Sequence, residues 1–525
     1  MDMTATKVGK VDYFDGIKRK LFFFVEGEVE EEGFYKVLSD GRIFYVFVTS
    51  LSEQPLDQQL RSRYSPSDYA FDQEERYLMY ASASILTEYR ENSGKKIVGY
   101  KTIPRHNDGI FKLETQDFDI LGLPKLDFAH VRSGSEHFET KAGFKKEAYI
   151  THWLLSGWTN SGKTNAAKVL LNVTVKGDGE PFAGGVIIDP HGEYYKDLKH
   201  FNRVGAPRVY HYTVGADPAD EFERELEVSY HNIYPSYLTE VYDFREDTQV
   251  SFMNMACRQK KGEWVPFLLD NESEGIKAGM PGVDRIAGID LIIGATKGRL
   301  MSLFRDDDVW VREPNGFVSA VLDGVTRGNW YVIDVSSIGN KTAKIITGML
   351  AQSVFNKYKR ACTKQKAEWR KFKPAGVLVE EAHNYLSPEE TGKGNVIARI
   401  AKEGRKFNVF SIIVEQDPSG IDERILKQIH NKVILQLIPK DARAICETTP
   451  YVEELEKKIP YYSIGEGVFV STGSFNFALP VKFPRVSDWI AANSVPCRKC
   501  GEPSVAGECG ACGRVQRKTD AKAFM

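Results

Sequence analysis

Hydrophobic residues run through this chain in two rhythms. Up to about residue 130 they come in short stretches bounded by glycine, clearest at Lys20–Glu26 and Arg42–Leu51, where aromatic and β-branched residues crowd together. Such stretches are strand signals, and they predict a small β-barrel or open sheet over residues 1–130. From about residue 148 short apolar runs alternate with longer helical segments. The runs are Tyr149–Ser156, Gly184–Ile188, Trp330–Val335, Gly376–Val379, Val409–Val414 and Lys432–Leu437. This alternation predicts an α/β domain over 131–490, with a mostly parallel sheet and crossover helices. Between about 215 and 325 the alternation lapses. Gln249–Lys261 and Val283–Phe304 carry helical spacing there, which predicts an inserted helical subdomain. Polar and acidic residues close several of the apolar runs, at the strand ends where open α/β sheets place ligands.

The first run leads into Gly157-Trp-Thr-Asn-Ser-Gly-Lys-Thr164, which fits G-x-x-x-x-G-K-[ST] at every fixed position. Glycines at 157 and 162 let backbone N–H groups curl around phosphates. Lys163 would neutralise β- and γ-oxygens, and the Thr164 hydroxyl would ligate Mg²⁺. The helix that follows points its positive end at the same phosphates. A strand before and a helix after are the context this motif requires. The expected nucleotide-contacting set is Gly157, Asn160, Ser161, Gly162, Lys163, Thr164 and Asn165, with ATP and Mg²⁺ as cofactors.

Two adjacent carboxylates, Glu380 and Glu381, follow the run Gly376–Val379. In P-loop ATPases the first acid at this point helps to hold Mg²⁺, and the second orients or deprotonates the attacking water. The alternative is a strand end with two solvated acids. Asp189 and Asp334 close two other runs. Asp189 would approach the Mg²⁺ water shell or cap the next helix, and Asp334, beside Ser336 and Ser337, is read as a cap. Arg405 and Lys406 precede the Val409–Val414 run. An arginine there could reach a neighbouring subunit's γ-phosphate, or form an ordinary surface ion pair. Gln416 ends that run with an amide suited to sensing phosphate or positioning water.

Composition narrows the picture little. The chain has 525 residues, enough for two or three domains. Its net charge of −2 gives no global attraction to nucleic acid, so DNA contacts would need local basic patches. Lys357–Lys373 is one such run, with eight Lys or Arg against Glu368 alone, and it reads as a surface helix before it reads as a DNA contact. The first fifteen residues lack the apolar core of a secretory signal, and Leu21–Val25 is too short to span a bilayer. A cytoplasmic protein without a membrane span is expected. Four of the seven cysteines cluster as Cys497-x₂-Cys500 and Cys509-x₂-Cys512. Two such knuckles can hold one structural Zn²⁺ tetrahedrally, which predicts a zinc ribbon in residues 491–525.

The order GWTNSGKT, IIDPHGEY, LVEEAHNYL, GRKFNVFSIIVEQDPS resembles the HerA-type ATPases, relatives of the FtsK translocases, over most of residues 148–445. The resemblance implies a RecA-like core, an N-terminal HAS-barrel, and a homo-hexameric ring around double-stranded DNA, working with a NurA-type nuclease in DNA end resection. It also implies that Lys163 and Thr164 bind nucleotide, that Glu381 is the catalytic base, and that Arg405 is a finger acting on the neighbouring subunit. Glu380 stands where aspartate is usual, and Asn160 where glycine is frequent. The cysteine cluster is not a feature the family requires. The leading expectation is a ring-forming ATPase translocating on duplex DNA. Related motors of conjugation, packaging or defence, and a nucleotide-dependent assembly switch, are the alternatives.

Overall fold

The structure is a computed structural model that describes residues 6–55, 77–124, 126–177, 180–202, 209–304, 308–392, 394–496 and 503–504. The chain divides into two compact units. One comprises residues 1–148, 157–162 and 430–484, and the other residues 149–156, 163–429 and 485–525. The predicted zinc ligands Cys497, Cys500, Cys509 and Cys512 lie outside the described residues.

The first unit begins with β1 (Lys7–Asp15), β2 (Lys20–Val25), β3 (Phe34–Ser39), β4 (Arg42–Pro55), β5 (Tyr77–Arg90), β6 (Lys95–Val98) and β7 (Gly109–Lys112). All pairings are antiparallel. They run β1–β2–β5–β4–β3–β7 and back to β1, a closed six-stranded barrel with β6 appended to β5. Alternate residues of these strands face inward. Leu21 and Phe23, Tyr35 and Val37, and Phe44, Val46 and Val48 alternate into one core with Val8, Val11, Ala81, Ala83 and Ile110. Full closure leaves the barrel no free edge to pair elsewhere. Of the two arrangements open to the sequence, the barrel is the one formed. β8 (Ala129–Ser133) and β9 (Glu136–Ala142) form a hairpin beyond it.

In the second unit β10 (Trp153–Ser156), β11 (Gly184–Asp189), β12 (Val209–Thr213) and β13 (Glu223–Glu225) precede a helical stretch. That stretch is bracketed by β14 (Val228–Ser229) and β15 (Trp310–Val311), which pair in parallel. β16 (Trp330–Asp334), β17 (Ala375–Glu380) and β18 (Val409–Glu415) complete the set. The seven-strand order β13-β12-β16-β11-β17-β18-β10 is parallel throughout. β11 and β18 are buried at every position, which is why they read as unbroken apolar runs rather than alternating ones.

Trp330 sets the spacing at the N-terminal ends of the strands. It is fully buried and donates Nε1–H to the Ala183 carbonyl at 2.8 Å. Its indole lies over Gly185 and Gly376, paired across β11 and β17. A Cβ at either position would come within about 2.6 Å of the ring, so both must be glycine.

The helices relevant below are α1 (Lys163–Lys176), α2 (Ser251–Lys260), α3 (Ile289–Phe304), α4 (Phe317–Arg327), α5 (Asn340–Lys364) and α6 (Val396–Glu403). α2 and α3 occupy the segments whose spacing predicted helices. Among the described residues no helix is long and apolar enough to cross a membrane. The first unit is completed by β19 (Asn431–Ile434), β20 (Glu466–Ser471) and β21 (Leu479–Lys482). Within that unit β19, β20, β21, β8 and β9 pair antiparallel in sequence, with Val481 opposite Val131.

Candidate nucleotide site

The loop Gly157–Gly162 uses backbone torsions that few residues adopt. Gly162 has φ +103° and Asn160 has φ +62°. The first is open to glycine alone. The second is the left-handed region, which asparagine tolerates better than other side chains. Asparagine is therefore a workable replacement where glycine is frequent. Within the first unit the loop is pinned by its backbone. Trp158 N–H donates to the Gln436 carbonyl at 2.6 Å, and Gly465 N–H donates to the Ser161 carbonyl at 2.9 Å. Gly157 and Ser161 are buried, while Asn160 is exposed.

In the second unit α1 opens at Lys163, directly after that loop in sequence. Lys163 is 8% exposed. Burial pulls its ammonium down to about 8, against the stabilising charges of Glu380 and Glu415. A buried ammonium at a helix N-terminus, near carboxylates that close two adjacent strands, fits a polyphosphate with its metal. Thr164 follows, half-buried. Asn165 accepts the Val486 N–H at 2.8 Å through Oδ1, which ties the first turn of α1 to the segment after β21.

Glu380 ends β17, where burial raises its carboxyl above the ordinary range. The Tyr194 hydroxyl, donating to Oε1 at 2.6 Å, and the nearby His191 oppose that rise. Glu381, the next residue, is exposed and has φ +49°. A non-glycine residue held there costs roughly 1–3 kcal/mol, the kind of strain that collects at functional turns. Asp189 is fully buried, and its carboxylate accepts the N–H groups of His191 (3.1 Å) and Tyr194 (2.9 Å). Of the two roles open to it, the observed bonds are those of a cap on the turn after β11. Asp334 caps in the same way, accepting Ser336 N–H at 2.9 Å. Burial would raise its carboxyl, but hydrogen bonds from His211 and Ser336 prevail and hold it at about 2.

The residue that sequence reasoning missed is Glu415. It was hidden because the apolar run stops at Val414, whereas β18 extends one residue further. Its carboxylate has no solvent exposure. It accepts N–H groups from His383 (2.7 Å), Gln416 (2.8 Å) and Asp417 (3.0 Å), and the His383 ring nitrogen Nδ1 lies 3.1 Å away. Gln416 itself is exposed just beyond the strand. The structure thus gathers Lys163, Glu380 and Glu415 at the C-terminal ends of β10, β17 and β18.

Arg405 is not part of that group. It lies in the turn Gly404–Phe407, before β18, exposed and without a side-chain hydrogen bond or ion pair among the described residues. Seven strand residues separate the two ends of β18, roughly 20 Å of extended chain.

The pKa of Lys163 carries a pH prediction. Below about pH 8 its ammonium is charged and can neutralise phosphate oxygens; above it the proton is lost before phosphate arrives. Affinity for a non-hydrolysable ATP analogue should therefore fall above pH 8, approaching about tenfold per unit. Titrations at pH 7, 8 and 9 check this, and a flat profile would contradict it.

A family profile described as "Helicase HerA, central domain" matches residues 136–354. A DNA double-strand break repair helicase HerA of Sulfurisphaera tokodaii is 28% identical over 351 residues, covering 63% of this chain and 64% of that protein. The protein of the same name from Saccharolobus solfataricus is 26% identical over 372 residues, covering 68% and 69%. Among solved structures the bacterial conjugative coupling protein TrwB superposes with a TM-score of 0.47 at 12% identity, covering 71% of this chain and 92% of that one. By the sequence matches, residues 136–354 of this chain are similar to the central domain of the HerA helicases.

Proposed function

We propose that this chain is an ATP-hydrolysing motor that translocates on double-stranded DNA as a homo-hexameric ring in the cytoplasm, serving DNA end processing with a NurA-type nuclease. The observation that carries the reading is Lys163, buried at the start of α1 with Glu380 and Glu415 as its charged neighbours. Relatives that share the central domain are named DNA double-strand break repair helicases, which supports DNA as the track.

In this reading the backbone of Gly157–Gly162, with Asn160 and Ser161, wraps the phosphates, and Lys163 neutralises β- and γ-oxygens. The Thr164 hydroxyl and Glu380 would hold Mg²⁺ and its waters, with Asp189 keeping the adjacent turn in place. Mg²⁺ supplies charge neutralisation on the phosphates when bound. Glu381 takes the proton of the attacking water, and Gln416 orients that water. Arg405 belongs to the active site of the next subunit. Cys497, Cys500, Cys509 and Cys512 would hold a structural Zn²⁺, for which metal analysis should give one equivalent per chain.

The test is hydrolysis with and without linear duplex. Stimulation by duplex is expected. Turnover indifferent to every nucleic acid would replace the motor with a nucleotide-dependent assembly switch or a motor for other cargo.

A further inference from the structure

α5 begins at the C-terminal ends of the strands and finishes at Lys364, near their N-terminal ends, just before β17. Along its second half a cleft of about 1590 Å³ opens within the second unit, walled on the other side by α2 and the segment 231–240. Five cations line it: Arg258 on α2, Lys261 just after it, Lys357 and Arg360 on α5, and Arg399 on α6. Two are occupied. Lys357 pairs with Asp323, and Arg399 donates to the Gln352 side chain while lying 5.3 Å over the Phe355 ring. Arg258, Lys261 and Arg360 are exposed, and their side chains make no hydrogen bond or ion pair among the described residues.

The opposing charge is small. The acids lining the cleft are Glu240 and Glu368. Burial pushes the Glu240 carboxyl up to about 7, against the Val396 N–H and Arg399, which leaves Glu368 as the exposed acid. Unpaired like charges gathered in a concave wall repel one another and focus a positive potential into the cleft. A polyanion relieves that repulsion. Tyr234, 53% exposed, adds an aromatic ring to the lining. Cations that follow a backbone together with an open aromatic face are the combination that holds unpaired strands. A duplex is stiff over far longer distances than this cleft spans and would meet only its rim.

We propose that this cleft binds the phosphodiester backbone of single-stranded nucleic acid, with Tyr234 as the platform for a base. The inference rests on the nucleic-acid reading given under Proposed function and extends it to a second form of the track. It also gives a role to the basic run 357–373, part of which forms the cleft wall.

The test is fluorescence anisotropy of the full chain with a labelled oligo-dT and with a blunt duplex over a range of salt. The parent chain should bind oligo-dT with a logarithmic salt dependence. The triple variant Arg258→Glu, Lys261→Glu, Arg360→Glu should lower that slope by about 2, at roughly 0.7 for each phosphate no longer neutralised, and weaken binding about tenfold or more. Tyr234→Ala should weaken binding about tenfold while leaving the slope unchanged, because stacking carries no counterion release. The melting temperatures of the variants control for folding. Parent-like affinity and slope in the triple variant would overturn the proposal, as would a loss confined to the duplex. A change in assembly size with unchanged oligo-dT binding would assign the cleft to a protein partner instead. If the parent chain binds neither nucleic acid, the DNA-motor reading fails and the cleft proposal with it. Parent binding with an unaffected triple variant sinks the cleft alone.

Discussion

Glu381→Gln should bind ATP as the parent chain does and turn it over about 10²–10⁴-fold more slowly, the usual contribution of a positioned general base. The substitution keeps side-chain length and leaves the left-handed turn at φ +49° as it is, so lost activity would report lost basicity. Glu381 is the suitable candidate because it is exposed. Glu380 is half-buried, with its carboxyl raised by desolvation and bonded by Tyr194, and Glu415 is spent on amide donors. A single-turnover assay with a parallel nucleotide-binding titration separates chemistry from affinity. Undiminished turnover would remove Glu381 from the base role.

Arg405→Ala is expected to cost about 10³–10⁵ in turnover, the range for an arginine finger. The geometry sets the form of the test. Within one chain Arg405 lies at the opposite end of β18 from the lysine and carboxylates, so it cannot serve its own Lys163. Arg405→Ala subunits retain Lys163, and Lys163→Ala subunits retain Arg405. Mixing the two inactive proteins should restore part of the activity, at interfaces that combine one intact residue from each. A mixture as inactive as its components would argue against action across an interface. A surface arginine with no such task would show almost no effect when removed.

Much of the site was legible because its chemistry is local in sequence. The P-loop needs fixed spacing over eight residues, and Glu380-Glu381 directly follow an apolar run. Strands buried on both faces were visible as unbroken apolar stretches. Three things were not legible, each for a physical reason. Glu415 was concealed because a fully buried carboxylate looks, in sequence, like the first polar residue after a strand. Its burial depends on amides of residues 383, 416 and 417 that only the fold collects. The Tyr194 hydroxyl reaches Glu380 across 186 positions of chain, and no periodicity encodes such a contact. The pairing of Val481 with Val131 is equally remote, so nothing local assigns residues 430–484 to the same unit as the barrel. Asn160 lies between these cases. Sequence marked it as a departure, and its backbone torsion explains why the departure is tolerated.

Glu415 has a mechanical meaning beyond its charge. One carboxylate is fastened both to the turn carrying Glu381, through His383, and to the turn carrying Gln416. The two turns are riveted together and share their displacements. A displacement of either turn is transmitted to the other through this single carboxylate at the end of β18.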